Sequence, residues 1–293
     1  VILITGATGT LGRPLLSRLL GAGEQVRCFV REPRRLGPSR VQVQIAIGDL
    51  AGSESFDRAV RGVDTVIHLA STSRDQSRGT IEEVGGVATL RLLGAARRAG
   101  VRRFVHVSPL GASLSSPSRF VRTQALASAA VRDSGLEVVQ FEAGIIYATD
   151  DPWIALLAEL SRLPLIPVIG RGDAAFQPIW AEDAADAVMA ALLRGIATPG
   201  APIALAGPQT LTQNEIVRVV ARHFGRSKPL LHVPAGLARR ALDWQERRSG
   251  AAAMATWDQV ALLQESSLSP RGTGDLAAIG VDPLPMTDVL PTH

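Results

Sequence analysis

The segment Thr5-Gly6-Ala7-Thr8-Gly9-Thr10-Leu11-Gly12 carries the clearest chemistry in this chain. Its three glycines follow an apolar run, residues 1–5, and open a stretch of helical periodicity. In that setting the first glycine permits a tight turn and the second lets the backbone approach a pyrophosphate. The third lets the helix pack closely on the strand. Backbone N–H groups and the dipole at the helix start then receive the phosphates. Gly6, Thr8, Gly9, Thr10, Leu11 and Gly12 are the expected cradle, a ligand-free glycine-rich turn being the plainer alternative.

The residues after the second strand bear on which dinucleotide binds. An acidic side chain there bonds the ribose hydroxyls of NAD, whereas the 2′-phosphate of NADP needs a cation. Here Val30 is followed by Arg31, with Arg34 and Arg35 close behind. A guanidinium fork suits a phosphate, so the pattern favours NADP(H) over NAD(H), with Arg31 and Arg35 as its ligands. Glu32 argues the other way, since a shift of one register would bring a carboxylate to the ribose. Asp49, with Leu50 after the third strand, is either a contact for the adenine amino group or a turn residue. Leu69, Ala70 and Ser71 follow the fourth strand, where small side chains let the backbone pass beside the cofactor ribose.

The elements that position these residues read as alternating strands and helices. Strands are predicted at 1–5, 25–30, 41–47, 65–69, 103–108 and 137–143, and helices at 11–20, 56–60, 81–99 and 120–133. Gly21 and Gly100 stand where helices should stop. Strands separated by helices imply βαβ units, a mostly parallel sheet and helices on both faces. The expected architecture is an α/β fold: a Rossmann-type, doubly wound parallel sheet over residues 1–150. A smaller α/β substrate lobe spans 151–293, interleaved with the first part as one compact unit. In that half, helices are predicted at 181–193, 212–224 and 249–268, with Thr212 and Glu215 as a capping box.

Composition narrows the classes. The chain has 293 residues, 46% hydrophobic, with a net charge of +4. The positive charge comes as scattered arginine pairs near helix ends, which argues against a nucleic-acid face. No apolar run approaches the length of a membrane span, and nothing reads as a signal peptide. One cysteine, Cys28, excludes an internal disulfide, and the reading is cytoplasmic. No cluster has metal-ligand spacing, no Gly-x-Ser-x-Gly elbow is present, and His68 and His106 read as core histidines.

Taken in order, TGATGTLG, VREPRR, GDL, GVDTVIHLAS and RRFVHVSPLGA resemble the short-chain dehydrogenase/reductase superfamily. More narrowly they resemble its atypical NmrA-like branch, which includes relatives of an accessory subunit of respiratory complex I. The likeness continues through FQPIWAEDAADAVMAAL and GPQTLTQNEIVRVVARHFGR. It implies a nicotinamide cofactor, a small-molecule substrate and, by analogy, a homodimer face on the helices at 81–99 and 120–133. The superfamily's Tyr-x-x-x-Lys pair is absent: Phe120 stands for the tyrosine and Gln124 for the lysine. The only tyrosine is Tyr147 and the only lysine Lys228. Candidates for the remaining chemistry are Ser108, with Pro109 as the other residue that could align with the family's serine, and Gln124 toward the nicotinamide ribose. Ser108 is either a contact for the reacting group or a backbone contact for the cofactor. Glu142-Ala143 stands where relatives commonly carry Arg-Pro, and Tyr147 is the one phenol. Glu142 is either an acid on the pocket floor or an ion-pair partner for an arginine, and Tyr147 either a proton donor or packing. Phe176, Gln177, Trp180 and Trp153 are either pocket lining or lobe core.

The functional expectation is an NADP(H)-dependent reductase of a small apolar or aromatic molecule such as a quinone or enone. The alternatives are an NADP(H)-binding redox sensor or assembly subunit without turnover, and a non-redox cyclase or dehydratase.

Overall fold

The computed structural model describes residues 1–292 except 53–55, 197, 199–200 and 251–254. Seven parallel strands, β1 to β7 in chain order, form the central sheet in the order β7-β6-β5-β4-β1-β2-β3, β7 being Ile203–Leu205. The first six are β1 Ile2–Thr5, β2 Val26–Val30, β3 Gln44–Ile47, β4 Thr65–His68, β5 Arg103–Pro109 and β6 Glu137–Ala143. The strand order reverses between β1 and β4, so a crevice opens beyond their carboxyl ends.

Alternation along the strands builds a core on each face. Ile4, Cys28, Ile67, Val105 and Val139 lie under α1 (Gly12–Gly21) and α6 (Ala181–Leu193). Leu3, Phe29, Val66, Phe104 and Val138 face α2 (Phe56–Ala59), α3 (Ala88–Arg98) and α4 (Arg119–Arg132). Cys28 is fully buried, which pushes its thiol up to about 12 and leaves it a packing residue.

Several elements depart from the sequence reading. Val41 ends a pair of 3-10 turns, Pro33–Val41, broken at Gly37, so the third strand begins only at Gln44. As the sheet's edge it leaves Ile47 exposed rather than covered, and Val41 is exposed in the segment before it. The helix predicted from residue 81 opens as a π-helical turn, Glu82–Val87, before α3. That turn packs on α4 so closely that a methyl on Gly85 would stand 2.9 Å from Gln124 Nε2.

The second half supplies parts of both layers. Its strand β7 pairs with β6, and α6 is clamped to α1 by Arg18, which reaches Glu182 at 2.5 Å and Asp186 at 2.6 Å. The remainder forms a third core around Tyr147, Ile154, Phe176, Ile216, Val220, Met286 and Leu290. Two of its helices are α5 (Pro152–Leu160), capped by Asp151, and α7 (Gln213–His223). The capping box of Thr212 and Glu215 is present at the start of α7. The helix predicted over 249–268 is not the one formed. A helix α8 at Ala235–Ser249 precedes it and ends at Gly250 with φ +54°. Residues 251–254 lie outside the described residues, and only α9, Trp257–Ala261, is helical in the rest of that span. The segment after it stitches the lobe to the sheet, Ser267 Oγ donating to Leu110 O and Ser269 N to Gln177 Oε1.

Candidate functional site

The glycine turn begins where β1 ends. Gly6 has φ +76°, and a Cβ there would lie 2.8 Å from Ala70 N, so β4's outgoing backbone passes directly against it. A Cβ on Gly12 would stand 2.0 Å from Gly6 O. Neither position admits a side chain without moving backbone. Gly9 N donates to Gly6 O at 2.9 Å, closing the turn. Leu11 precedes α1 as its N-cap with no side-chain cap, so the helix dipole is not offset by a local acceptor.

A cavity of about 220 Å³ lies over this turn. Gly6, Thr8 and Gly9 form one wall, with Thr10, Leu11 and Gly12 continuing the turn into α1. Arg31, Glu32 and Arg35 line it from the end of β2, Asp49 and Leu50 from β3, and Leu69, Ala70 and Ser71 from β4. Thus residues from four separate strand ends meet at the crevice. Arg34, close to Arg31 in sequence, is not among the lining residues. Asp49 serves the turn as well as the wall, its Oδ1 accepting from Ala51 N at 3.1 Å.

Two lining residues escaped the sequence reading. Gln76 and Val84 reach the cavity from the loop after β4 and from the π-helical turn. Gln76 Oε1 accepts from Arg31 Nη1 at 2.9 Å, across 45 positions of sequence. No local pattern marks such a contact, because a polar residue in a loop has the same appearance whether or not it has a long-range partner.

The residues considered for chemistry do not line this cavity. Ser108 is buried near the end of β5 and shares its face with Phe104 and His106, the side on which α4 packs. Its hydroxyl makes a long 3.4 Å contact with Phe141 O. Gln124 is buried on α4 against the Gly85 backbone, so these two belong to the same layer. Glu142 accepts at Oε2 from Gly111 N at 3.2 Å, tying β6 to the turn after β5. Tyr147 lies in the lobe core at 0% exposure, its hydroxyl without a hydrogen-bond partner among the described residues. Burial raises its phenol further above its ordinary value, with Asp183 and Asp288 adding to the effect. Its burial in this core, away from the cavity, fits the packing alternative. Phe176, Trp153 and Trp180 likewise pack in this core, and Gln177 is held by Ser269 N.

His68 and His106 are buried on adjacent strands with rings 6.0 Å apart. Burial lowers His68 to about 3, with His106 adding to the effect, and lowers His106 to about 4. Both are therefore neutral at ordinary pH, as core residues.

Residues 6–152 match the NAD(P)H-binding family. This chain belongs to that family. Its sequence is 30% identical over 243 residues to a (4-alkanoyl-5-oxo-2,5-dihydrofuran-3-yl)methyl phosphate reductase of Streptomyces griseus, covering 83% of this chain and 80% of the relative. It is 31% identical over 231 residues to the Arabidopsis thaliana mitochondrial NADH dehydrogenase [ubiquinone] 1 alpha subcomplex subunit 9. That match covers 75% of this chain but only 57% of the relative, so the chain spans little more than half of that protein. Among solved structures, an NADPH-dependent quinone oxidoreductase from Escherichia coli, complexed with NADPH, superposes with a TM-score of 0.76. It covers 99% of this chain and 98% of its own at 19% identity, a likeness of fold. The family member is thus of the atypical short-chain dehydrogenase/reductase kind, with a Rossmann-type sheet. Among the described residues no helix is long and apolar enough to cross a membrane, and no group of side chains could hold a metal ion.

The residues fit the group that the family name implies. The turn excludes side chains where a pyrophosphate would lie, and the cavity meets the strand ends at the switch point.

Proposed function

We propose that the chain is an NADP(H)-dependent reductase of a small apolar or aromatic molecule such as a quinone or enone. The observation that carries the cofactor preference is the pair Arg31 and Arg35 lining the cavity opposite the glycine turn. Guanidinium groups supply bidentate, permanently charged donors for a 2′-phosphate, which Glu32 on the same wall would repel. Thr8, Gly9 and the start of α1 would hold the pyrophosphate, and Asp49 and Leu50 the adenine. Leu69, Ala70 and Ser71 would flank the ribose.

When bound, a nicotinamide supplies a hydride donor or acceptor. This chain's part is to orient and to exclude water. Gln124, buried where the superfamily carries lysine, would offer an amide to the nicotinamide ribose without the charge that would acidify a tyrosine. Ser108, in the same layer, is a candidate hydroxyl for the reacting group. Such a site suits an activated acceptor, whose reduction needs little help from a strong acid. The reductases among its relatives support this reading.

A second reading is binding of NADP(H) without turnover. The observation favouring it is the loss of both acid–base residues at Phe120 and Gln124 together with burial of the one tyrosine. A homodimer through α3 and α4 belongs to the proposal as well, since it would cover the exposed Leu90 and Leu126. Light scattering of the purified chain tests it, a monomer mass at micromolar concentration counting against it.

Calorimetric titration with NADPH, NADP⁺ and NADH, repeated with Arg31→Ala, tests the cofactor. Micromolar NADPH binding, weaker NADH binding and a tenfold or larger loss in the variant are expected. A quinone and enone screen following NADPH absorbance then separates reductase from binding protein. Tight binding with no acceptor consumed would favour the second reading, and no binding by any of the three would remove both.

A further inference from the structure

Gln76 sits in a hydrogen-bond chain that admits only one orientation of its amide. Thr72 Oγ1 donates to Arg74 O at 2.7 Å, so the same oxygen is left to accept, and Gln76 Nε2 donates to it at 3.1 Å. The Oε1 end therefore faces Arg31, whose guanidinium can only donate. The backbone of Gln76 is itself pinned by a two-way pairing with Gly79, N to O at 2.9 and 3.3 Å. One residue away, Asp75 is fixed by Ile81 N at 2.9 Å and by Arg119 at 3.2 Å. The loop is anchored on both sides of the residue that reaches Arg31.

The chemistry of this arrangement favours an amide over a carboxylate. An amide oxygen uses one of the five guanidinium N–H groups and leaves the positive charge undiminished. A carboxylate would neutralise that charge and would have no donor for Thr72. We infer that Gln76 is the positioning residue for cofactor choice: it orients Arg31 in the cavity with its full charge available to a 2′-phosphate. This inference rests on the reading that Arg31 takes the 2′-phosphate, and it adds a determinant in the loop after β4 to one that directly follows β2.

The test measures Kd for NADPH and NADH by calorimetry in the intact chain and in Gln76→Ala, Gln76→Glu, Arg31→Ala and the Arg31→Ala/Gln76→Ala double variant. Repeating the set with 2′,5′-ADP and 5′-ADP isolates the phosphate. Gln76→Ala should weaken NADPH about three- to tenfold and leave NADH unchanged. Gln76→Glu should weaken NADPH more than Gln76→Ala and pull the NADPH/NADH ratio toward or below one. In the Arg31→Ala background, Gln76→Ala should change nothing further. If Arg31→Ala leaves the ratio intact, the reading of Arg31 falls, whatever Gln76 does. If Arg31→Ala lowers the ratio but neither Gln76 variant does, or both cofactors weaken equally, the positioning role of Gln76 is overturned while the reading of Arg31 stands. Circular dichroism and a melting curve for each variant separate a collapsed loop, which would weaken both cofactors, from a lost orientation.

Discussion

His68 Nε2 lies 2.9 Å from Thr89 Oγ1, and this contact settles the tautomer of the imidazole. The Thr89 hydroxyl donates to Gly85 O at 2.6 Å, so its oxygen must accept, and Nε2 carries the proton. Nδ1 is then left to accept from Thr5 Oγ1 at 2.7 Å, whose oxygen takes Ala70 N–H at 3.3 Å. The chain links β1, β4, the π-helical turn and α3 behind the glycine turn with donors and acceptors alternating. It has no place for a second ring proton.

Stability should therefore fall as the solution is acidified from neutrality. The folded pKa values of His68 and His106, about 3 and about 4, lie below the unfolded value near 6.5. Between those limits the unfolded chain binds more protons, so stability is full above about pH 6.5 and is lost as pH falls toward the folded values. Each histidine should cost about 2 kcal/mol between pH 7 and pH 5. Urea unfolding at the two pH values checks this, and equal free energies would show that the rings are protonated in the fold.

The glycine turn predicts a contrast between neighbouring substitutions. Gly12→Ala sets a methyl against Gly6 O and Gly6→Ala combines a positive φ with contact at Ala70, so each should cost about 2–4 kcal/mol. Gly21→Ala, at the end of α1 with nothing within 4 Å of the added methyl, should be neutral or slightly stabilising. Thermal melts of the three variants test the packing, and a Gly12→Ala protein as stable as Gly21→Ala would refute the close approach.

Tyr147→Phe should leave cofactor affinity and any turnover unchanged. The hydroxyl it removes is buried without a partner among the described residues, so the change should be neutral or stabilise the fold by up to about 1 kcal/mol. Turnover lost in a variant of undiminished melting temperature would instead identify this phenol as a proton donor.

Arg119 faces three carboxylates from three elements: Asp75 at 3.2 Å, Glu82 at 2.9 Å and Asp258 at 3.1 Å. The guanidinium holds Glu82 below the usual carboxylate range, whereas burial first raises Asp258. Arg119→Ala should destabilise by about 1–2 kcal/mol, discounted for a side chain that is 36% exposed. The loss should shrink in half-molar salt, which screens the orphaned carboxylates from one another. Denaturant curves at two salt concentrations would expose a loss independent of salt, pointing to packing instead.

The sequence by itself determined the parts whose causes are local. The glycine turn, the apolar strands feeding it and the Thr212 capping box were legible because a turn, a pleat and a cap depend on residues within a few positions. The seven-stranded sheet needed more. β7 has three residues, too few for a periodicity, and forms only because β6 offers an open edge. α8 and the π-helical turn were missed for a related reason: one carries few buried apolar positions, and the other is set by contact with α4. Tertiary structure alone decided that Tyr147 is sealed in a core, that Glu142 caps Gly111 and that Gln76 meets Arg31. Those outcomes depend on distances between segments far apart in the chain, which side-chain type and spacing do not encode.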